Sequence, residues 1–487
     1  MRAAGEAAVV TVVRASPLLL LLWLLASGLA VRAEDFAARF DALVRTATPR
    51  QLYALLYDLP KGGDLHNHAG GSDRPEWMFA ILTDPARNGG DAFYARVRFD
   101  EAEAGGARLE PGERYRLIRR RTYARLAPAA RRGYVALAEL TPPERAAWAN
   151  AFRLDAPGEG RDEFFQHIWP RRGELGQNLD VRLELLAENI KAFAAEGLAY
   201  LETQFGADGA VDNEGRPIPP EEAVALIERR LAQPDVAATG LVVRFQDTVL
   251  RFRPDAEARL AETYAFVAAH RDRWVGINLA GLESDPRGEP RRFLATFRQL
   301  RARFPALALS IHAGEMDDAD SHVRDTLLLG ASRIGHGVNL IKDPATLLLL
   351  QQHRRVLVEI NLISNRLLGY VPDVAQHPFP EYLRTGVPVC LNTDDRGMWD
   401  SNLTDEYYTA VTQFNLSWDE LVQLGRNSLT FSFAQPEVKA KLLADFEAAV
   451  AAFEKRFAAA DSLQHVGDVH PTTYGYAKRT WGFVFAP

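Results

Sequence analysis

Seven ionisable residues of this sequence stand where short apolar runs end. His66 and His68 lie in Asp64-Leu65-His66-Asn67-His68, and His312 and Glu315 in Ser310-Ile311-His312-Ala313-Gly314-Glu315. His336 lies in Arg333-Ile334-Gly335-His336-Gly337, and Asp394 and Asp395 in Cys390-Leu391-Asn392-Thr393-Asp394-Asp395. Each alone has an ordinary explanation. A His-x-His pair among eleven histidines reads as a surface or core pair, and a glycine-flanked histidine as part of a tight turn. A strand-end aspartate commonly caps the helix that follows. Together they specify a chemistry. Residues two apart in extended chain project to one face, so His66 and His68 aim their imidazoles together. Three neutral imidazoles and a carboxylate suit Zn²⁺ and leave one position open to water. His66, His68, His312 and Asp394 supply that set, for one ion per chain. Glu315, three residues past a ligand, can reach over the metal without binding it. His336 and Asp395 remain to hold or deprotonate the water. The set provides a Lewis acid that lowers the pKa of water towards ~7, a base, and a carboxylic acid for proton delivery.

Those residues need a scaffold that gathers distant strand ends. Short apolar runs predict strands at Gly63–His68, Leu198–Phe205, Gly240–Asp247, Trp274–Gly281, Leu307–Glu315, Arg333–Gly337, Arg355–Asn361 and Val387–Asp394. Amphipathic stretches between them, such as Pro220–Ala232, Asp255–His270, Pro290–Phe304, Ser321–Leu329, Pro344–His353 and Pro378–Thr385, predict helices. This alternation is the pattern of an α/β fold, a (β/α)₈ TIM barrel, whose C-terminal strand ends carry the active site. Residues 61–487 form this barrel domain. A helical insertion over about 72–197 follows the first strand, with helical pieces at Tyr115–Leu126, Pro143–Phe152 and Glu163–Trp169. Residues 34–60 form an N-terminal helical leader, 404–459 a C-terminal helical addition, and 462–487 a tail with no assigned role.

Composition narrows the partners. The 487 residues carry a net charge of −7, which argues against a nucleic-acid footprint and for a small-molecule partner. The Leu-rich run from Pro17 to Ala30 with Val31-Arg32-Ala33 after it reads as a signal peptide over 1–33. Its removal would leave an exported protein, periplasmic or extracellular, with no stable membrane association. Cys390 is the sole cysteine, so no intramolecular disulfide forms; this favours a bacterial periplasm over a eukaryotic extracellular space.

These motifs, in this order and on these strands, resemble the adenosine deaminase family over about residues 50–460. Pro60-Lys61-Gly62-Gly63 before the His-x-His pair resembles its exported branch, the adenosine-deaminase-related growth factors and their bacterial relatives. Further echoes are Val275-Gly276-Ile277-Asn278-Leu279-Ala280-Gly281 and Ile363-Ser364-Asn365. The resemblance implies zinc on His66, His68, His312 and Asp394, and conversion of adenosine and 2′-deoxyadenosine to inosine or deoxyinosine and ammonia. It implies that Glu315 gives a proton to purine N1 and that His336 orients the attacking water and acts as its base. Asp395 would hydrogen-bond that water or N7, and the Gly281 backbone would meet N3. By the same analogy the leader suggests a homodimer. Three positions depart from the pattern: Gly70 stands where an aspartate commonly binds the ribose 5′-hydroxyl, Asn278 where aspartate is usual, and Arg396 where proline is common. Gly70 keeps open another 6-aminopurine or aminopurine nucleoside as substrate. A nucleotide would need a basic cluster, for which Arg119-Arg120-Arg121 is the candidate, with a solvated helix face as its plainer reading. A two-metal relative would need a lysine on the fourth strand, and Gly240–Gly281 has none. A binding or growth-factor-like protein with a vestigial site would have lost some of the seven residues.

Overall fold

The computed structural model describes residues 36–99, 111–304, 307–459, 466–467 and 469–485. The segment read as a signal peptide lies outside them. All eight expected strands form: β1 Gly63–His68, β2 Tyr200–Gln204, β3 Val242–Leu250, β4 Trp274–Ala280, β5 Ala308–Ala313, β6 Arg333–His336, β7 Leu357–Ile360 and β8 Val389–Leu391. They pair in parallel in chain order, and a parallel bridge between Asn67 and Asp394 joins first strand to last. β4 reads WVGINLA and is buried along its whole length, as befits a strand enclosed by its barrel and the surrounding helices.

The helices begin and end where the sequence signals. Pro220–Leu231 and Pro344–His353 each open on a proline, whose missing N–H costs nothing in a first turn. Phe379–Thr385 stops at Gly386, which has φ +90°; a left-handed C-cap of this kind favours glycine. Capping boxes start Pro49–Asp58 (Thr48 with Gln51) and Leu403–Phe414 (Asn402 with Asp405).

The insertion, read from the sequence as helical, is only partly so. It contains helices, including Pro142–Asn150, but also a three-stranded antiparallel sheet with Phe93–Arg96 between Leu117–Arg119 and Tyr134–Ala136. The helix expected over Tyr115–Leu126 is therefore strand for its first part and helix only at Arg120–Arg125. Leu117 packs with Phe93 and Trp148 in a core of the insertion's own, and this pairing outweighs local helix preference. The insertion also ends earlier, because Leu179–Ala195 leads directly into β2 and buries Leu183, Leu186, Ile190 and Phe193 in the barrel's core. The tail gains a helix, Gly475–Trp481.

Candidate metal centre and active site

Barrel closure itself builds the site. Between β1 and β8, Asp394 N–H donates to the His66 carbonyl (2.9 Å) and His68 N–H to the Asp394 carbonyl (3.2 Å). The buried Asp64 carboxylate accepts from the Thr393 N–H (3.0 Å) and hydroxyl (2.7 Å). These bonds clamp the first and last strands so that His66, His68 and Asp394 share one point. Asp394 and His336 both have left-handed backbone, φ +53° and +68°. For residues other than glycine such conformations cost on the order of 1–3 kcal/mol and cluster at functional sites.

At that point the Asp394 Oδ1 lies 3.4 Å from His66 Nε2 and 3.2 Å from His68 Nε2. His68 Nε2 lies 3.2 Å from His312 Nε2, and all four ligand atoms fall within 4.8 Å of one another. Second partners aim the rings: His66 Nδ1 faces Glu359 Oε2 at 2.8 Å and His312 Nδ1 faces Asn278 Oδ1 at 2.8 Å. Both neighbours only accept, so each ring carries its proton on Nδ1 and turns an Nε2 lone pair inward. Gly335 leaves the space this needs, since a Cβ there would sit 2.7 Å from His66 Cε1.

The donor set fits a cation. His66 Nε2 and Asp394 Oδ1 are buried without a hydrogen-bond partner among the described residues, which is costly unless something positive lies between them. Burial pushes the His66 pKa down, yet the nearby carboxylates of Asp394 and Glu359 outweigh it and hold it up at about 10. Burial and the neighbouring imidazoles drive His312 well below its ordinary value. The carboxylates of Asp394 and Glu359 thus favour one positive charge here, while burial and repulsion between the imidazoles oppose charging all the rings at once.

Glu315, His336 and Asp395 stand around this point. Burial, then the charges of Asp394 and Glu283, push Glu315 up to about 8, so it keeps its proton at neutral pH. Its Oε1 lies 3.8 Å from His336 Nε2. Its loop is held by Glu283, whose carboxylate accepts from the Gly314 N–H (2.9 Å), the Glu315 N–H (2.8 Å) and His322 Nδ1 (2.8 Å). Burial drives His336 down to about 3, leaving the ring neutral. Asp395 approaches the Gly71 backbone so closely that a Cβ on Gly71 would lie 1.5 Å from Oδ1. Gly281 directly follows β4 at φ +102°, and a Cβ there would lie 2.6 Å from the Phe252 ring.

A cavity of about 390 Å³ opens beside His68, lined by Gly70, Trp169, Arg172 and Arg182 among others. Arg172, from the insertion, donates to the Gly70 carbonyl and pairs with Asp73 at 2.7 Å. Asp208 and Asp247 also line the cavity. The Arg119-Arg120-Arg121 run lies elsewhere, and Arg119 is no solvated helix face: it is buried, paired with Asp91 at 2.5 Å and donating to the Val211 and Asp212 carbonyls.

All seven residues read from the sequence meet at one place. The residues that support them were not singled out: Glu359, Glu283, His322 and His377. Glu359 had a signal, being the sole charge within β7 and in register to face inward with Leu357 and Asn361. The role of Glu283 comes from a loop contact that no spacing encodes.

Fold and site together define a parallel (β/α)₈ barrel with a candidate metal centre where its first and last strands meet. The family model described as "Adenosine deaminase" matches residues 143–449, and the chain belongs to that family. An adenosine deaminase of Enterococcus faecalis is 33% identical over 264 residues, which are 54% of this chain and 74% of the relative. One of Klebsiella pneumoniae is 32% identical over 257 residues, 53% and 74% of the two chains. Among solved structures, Arabidopsis ADAL complexed with IMP aligns with TM-score 0.59 at 21% identity, covering 82% of this chain and 99% of that one. An adenine deaminase from Arthrobacter aurescens aligns with TM-score 0.57 at 21% identity, covering 80% and 99%. The chain is accordingly a hydrolase that deaminates purine compounds. The family match begins beyond β1, so the structure is what brings His66 and His68 to the residues within it.

Proposed function

We propose that the protein is a zinc-dependent hydrolytic deaminase that converts adenosine and 2′-deoxyadenosine, with water, to inosine or deoxyinosine and ammonia. The observation that carries this reading is the convergence of three imidazole Nε2 atoms and the Asp394 carboxylate beside a glutamate that keeps its proton at neutral pH. Zinc bound by His66, His68, His312 and Asp394 would act as a Lewis acid and make water a competent nucleophile at neutral pH. The chain's own groups supply the rest. Glu315, as a carboxylic acid, delivers a proton to N1 of the ring, which makes C6 more electrophilic. His336 and Asp395 flank the point of attack and orient the water. Gly281, directly after β4, lets its backbone approach the purine N3 edge.

Nucleoside is favoured over nucleotide by the cavity beside His68. Arg172 is already paired with Asp73, and Arg182 already donates to the Gly206 and Asp208 carbonyls, so both guanidinium groups there are engaged before any 5′-phosphate arrives. Gly70 leaves the ribose to be read by insertion residues, and Trp169 and Arg172 stand nearest. The apolar run at 17–30 supports export to the periplasm or beyond, which fractionation of the native host would test. The deciding experiment is incubation of the zinc-loaded protein with adenosine, deoxyadenosine and AMP, following the ultraviolet change on deamination. Rapid turnover of the two nucleosides and little of AMP is expected; turnover of AMP alone would overturn the substrate assignment.

A further inference from the structure

The mechanism needs a decision about His336, because its Nε2 can either accept a proton or donate a hydrogen bond. A chain of buried side chains behind the ring makes that decision. Pro378 lacks an N–H, so Phe379 offers the first free amide at the start of its helix. That N–H donates to His377 Nδ1 at 3.0 Å. A backbone N–H has only one polarity, so Nδ1 is the acceptor and His377 carries its proton on Nε2. His377 Nε2 lies 3.0 Å from Asn365 Oδ1, and this contact fixes the amide with its oxygen towards His377. Asn365 Nδ2 then faces His336 Nδ1 at 2.9 Å, and Asn361 Nδ2 faces the same nitrogen at 3.2 Å. Nδ1 therefore accepts, and the proton of the neutral ring sits on Nε2.

We propose that His377 and Asn365 are positioning residues that set the tautomer of His336, so that its Nε2–H faces the metal site as a fixed hydrogen-bond donor. His336 Nε2 is buried, has no partner among the described residues, and lies 3.8 Å from Glu315 Oε1. A donor there holds the water by its oxygen. It leaves no lone pair on Nε2 to take a proton, and Nδ1 is blocked by two amides. The base role expected for His336 from the sequence is thereby replaced by an orienting one. The relay is firmly seated: His377, Asn361 and Asn365 are fully or almost fully buried. The helix Leu362–Leu367 that carries Asn365 is anchored by Glu406, which accepts from the Leu362 N–H (2.9 Å) and the Ile363 N–H (3.2 Å). Burial holds His377 down to about 3, in keeping with a neutral ring.

The test reads the tautomer directly. In zinc-loaded protein with ¹⁵N-labelled histidine, the His336 signals are assigned by their loss in His336→Gln. Protonated Nε2 and unprotonated Nδ1 are expected, and the reverse would overturn the proposal without any variant of the relay. In Asn365→Asp the new carboxylate accepts from both histidines, so the His336 proton should move to Nδ1. kcat should then fall about 10–100-fold, with KM held within about threefold, as for other outer partners of metal sites. An unchanged tautomer in that variant would overturn the proposal. Its consequence for kcat rests on the deaminase reading, and the two fail separately. Protein inactive on every 6-aminopurine but showing Nε2–H sinks the function alone; active protein showing Nδ1–H sinks the relay alone.

Discussion

Glu315 and its surroundings divide the labour of the site between a buried acid and a negative pocket that calls for a cation. Replacing Glu315 with Gln keeps the shape and removes the transferable proton. Metal content should be unchanged while kcat falls ~10²–10⁴-fold, the usual worth of a general acid; near-normal turnover would remove the assigned role. The pH profile follows from the same residue. Its raised pKa of about 8 means the active, protonated form is present below that value and lost as pH rises through it. Bound cation, by its charge, lowers the value, so the alkaline limb of kcat should lie at or below about pH 8. A kcat still rising above pH 9 would contradict this. Glu359→Gln tests the hold on the metal: His66 Nδ1 loses a carboxylate partner, and zinc affinity measured by chelator competition should drop about 10–100-fold. At this scale the sequence was most legible, because His-x-His on one strand face and carboxylates at strand ends are patterns of type and spacing. The relay through His377 was not legible. It lies 12 residues from Asn365 and acquires meaning only through the polarity of one backbone amide.

The elements show where local pattern suffices and where it does not. The barrel strands were legible because each is a short apolar run, and β4, buried throughout, has no polar alternation to confuse it. The insertion was misread in part because Leu117-Ile118-Arg119 becomes strand only by pairing with Phe93–Arg96; its partner supplies what the local sequence lacks. The insertion reaches the cavity beside His68 through the stretch from Glu163 to Arg172. It opens with a π-helical segment, Glu163–Ile168, a feature frequent at functional sites. Trp169 follows, its ring 6.4 Å from the His68 ring, and Arg172 ties the stretch to Gly70. Arg172→Ala frees the Gly70 carbonyl and leaves the buried Asp73 uncompensated. KM for adenosine should rise about tenfold or more while kcat changes little, as expected when binding common to ground and transition states is lost. Steady-state kinetics decide it: a fall in kcat at constant KM would place the stretch in the chemistry instead.

Across the described residues the leader and the tail pack together against the C-terminal helices. The leader, a helix over 36–46 followed by Pro49–Asp58, buries its apolar face against helices of the same chain. Phe36 and Phe40 pack on Trp418 with ring centroids 4.8 and 5.4 Å apart. The Tyr53 hydroxyl donates to Asp405 Oδ1 at 2.7 Å, and its ring meets Phe483 and Phe485 of the tail. Leu43, Leu52, Leu55, Leu56 and Leu59 are buried as well. Each such side chain contributes roughly 1.5–3 kcal/mol on burial. Their sum, even as an upper bound, is of the order of the roughly 5–15 kcal/mol by which a protein is stable at all. Removing residues 1–60 should therefore expose the apolar faces of the C-terminal helices and take the Tyr53 hydroxyl from the buried Asp405 Oδ1. The expected outcome is a chain that aggregates or melts far below the parent in a thermal scan. Removing only 1–33 spares every one of these contacts and should leave both melting temperature and turnover unchanged. If the shorter chain beginning at 61 melted like the parent, the leader would have to be assigned to something other than bracing the C-terminal helices.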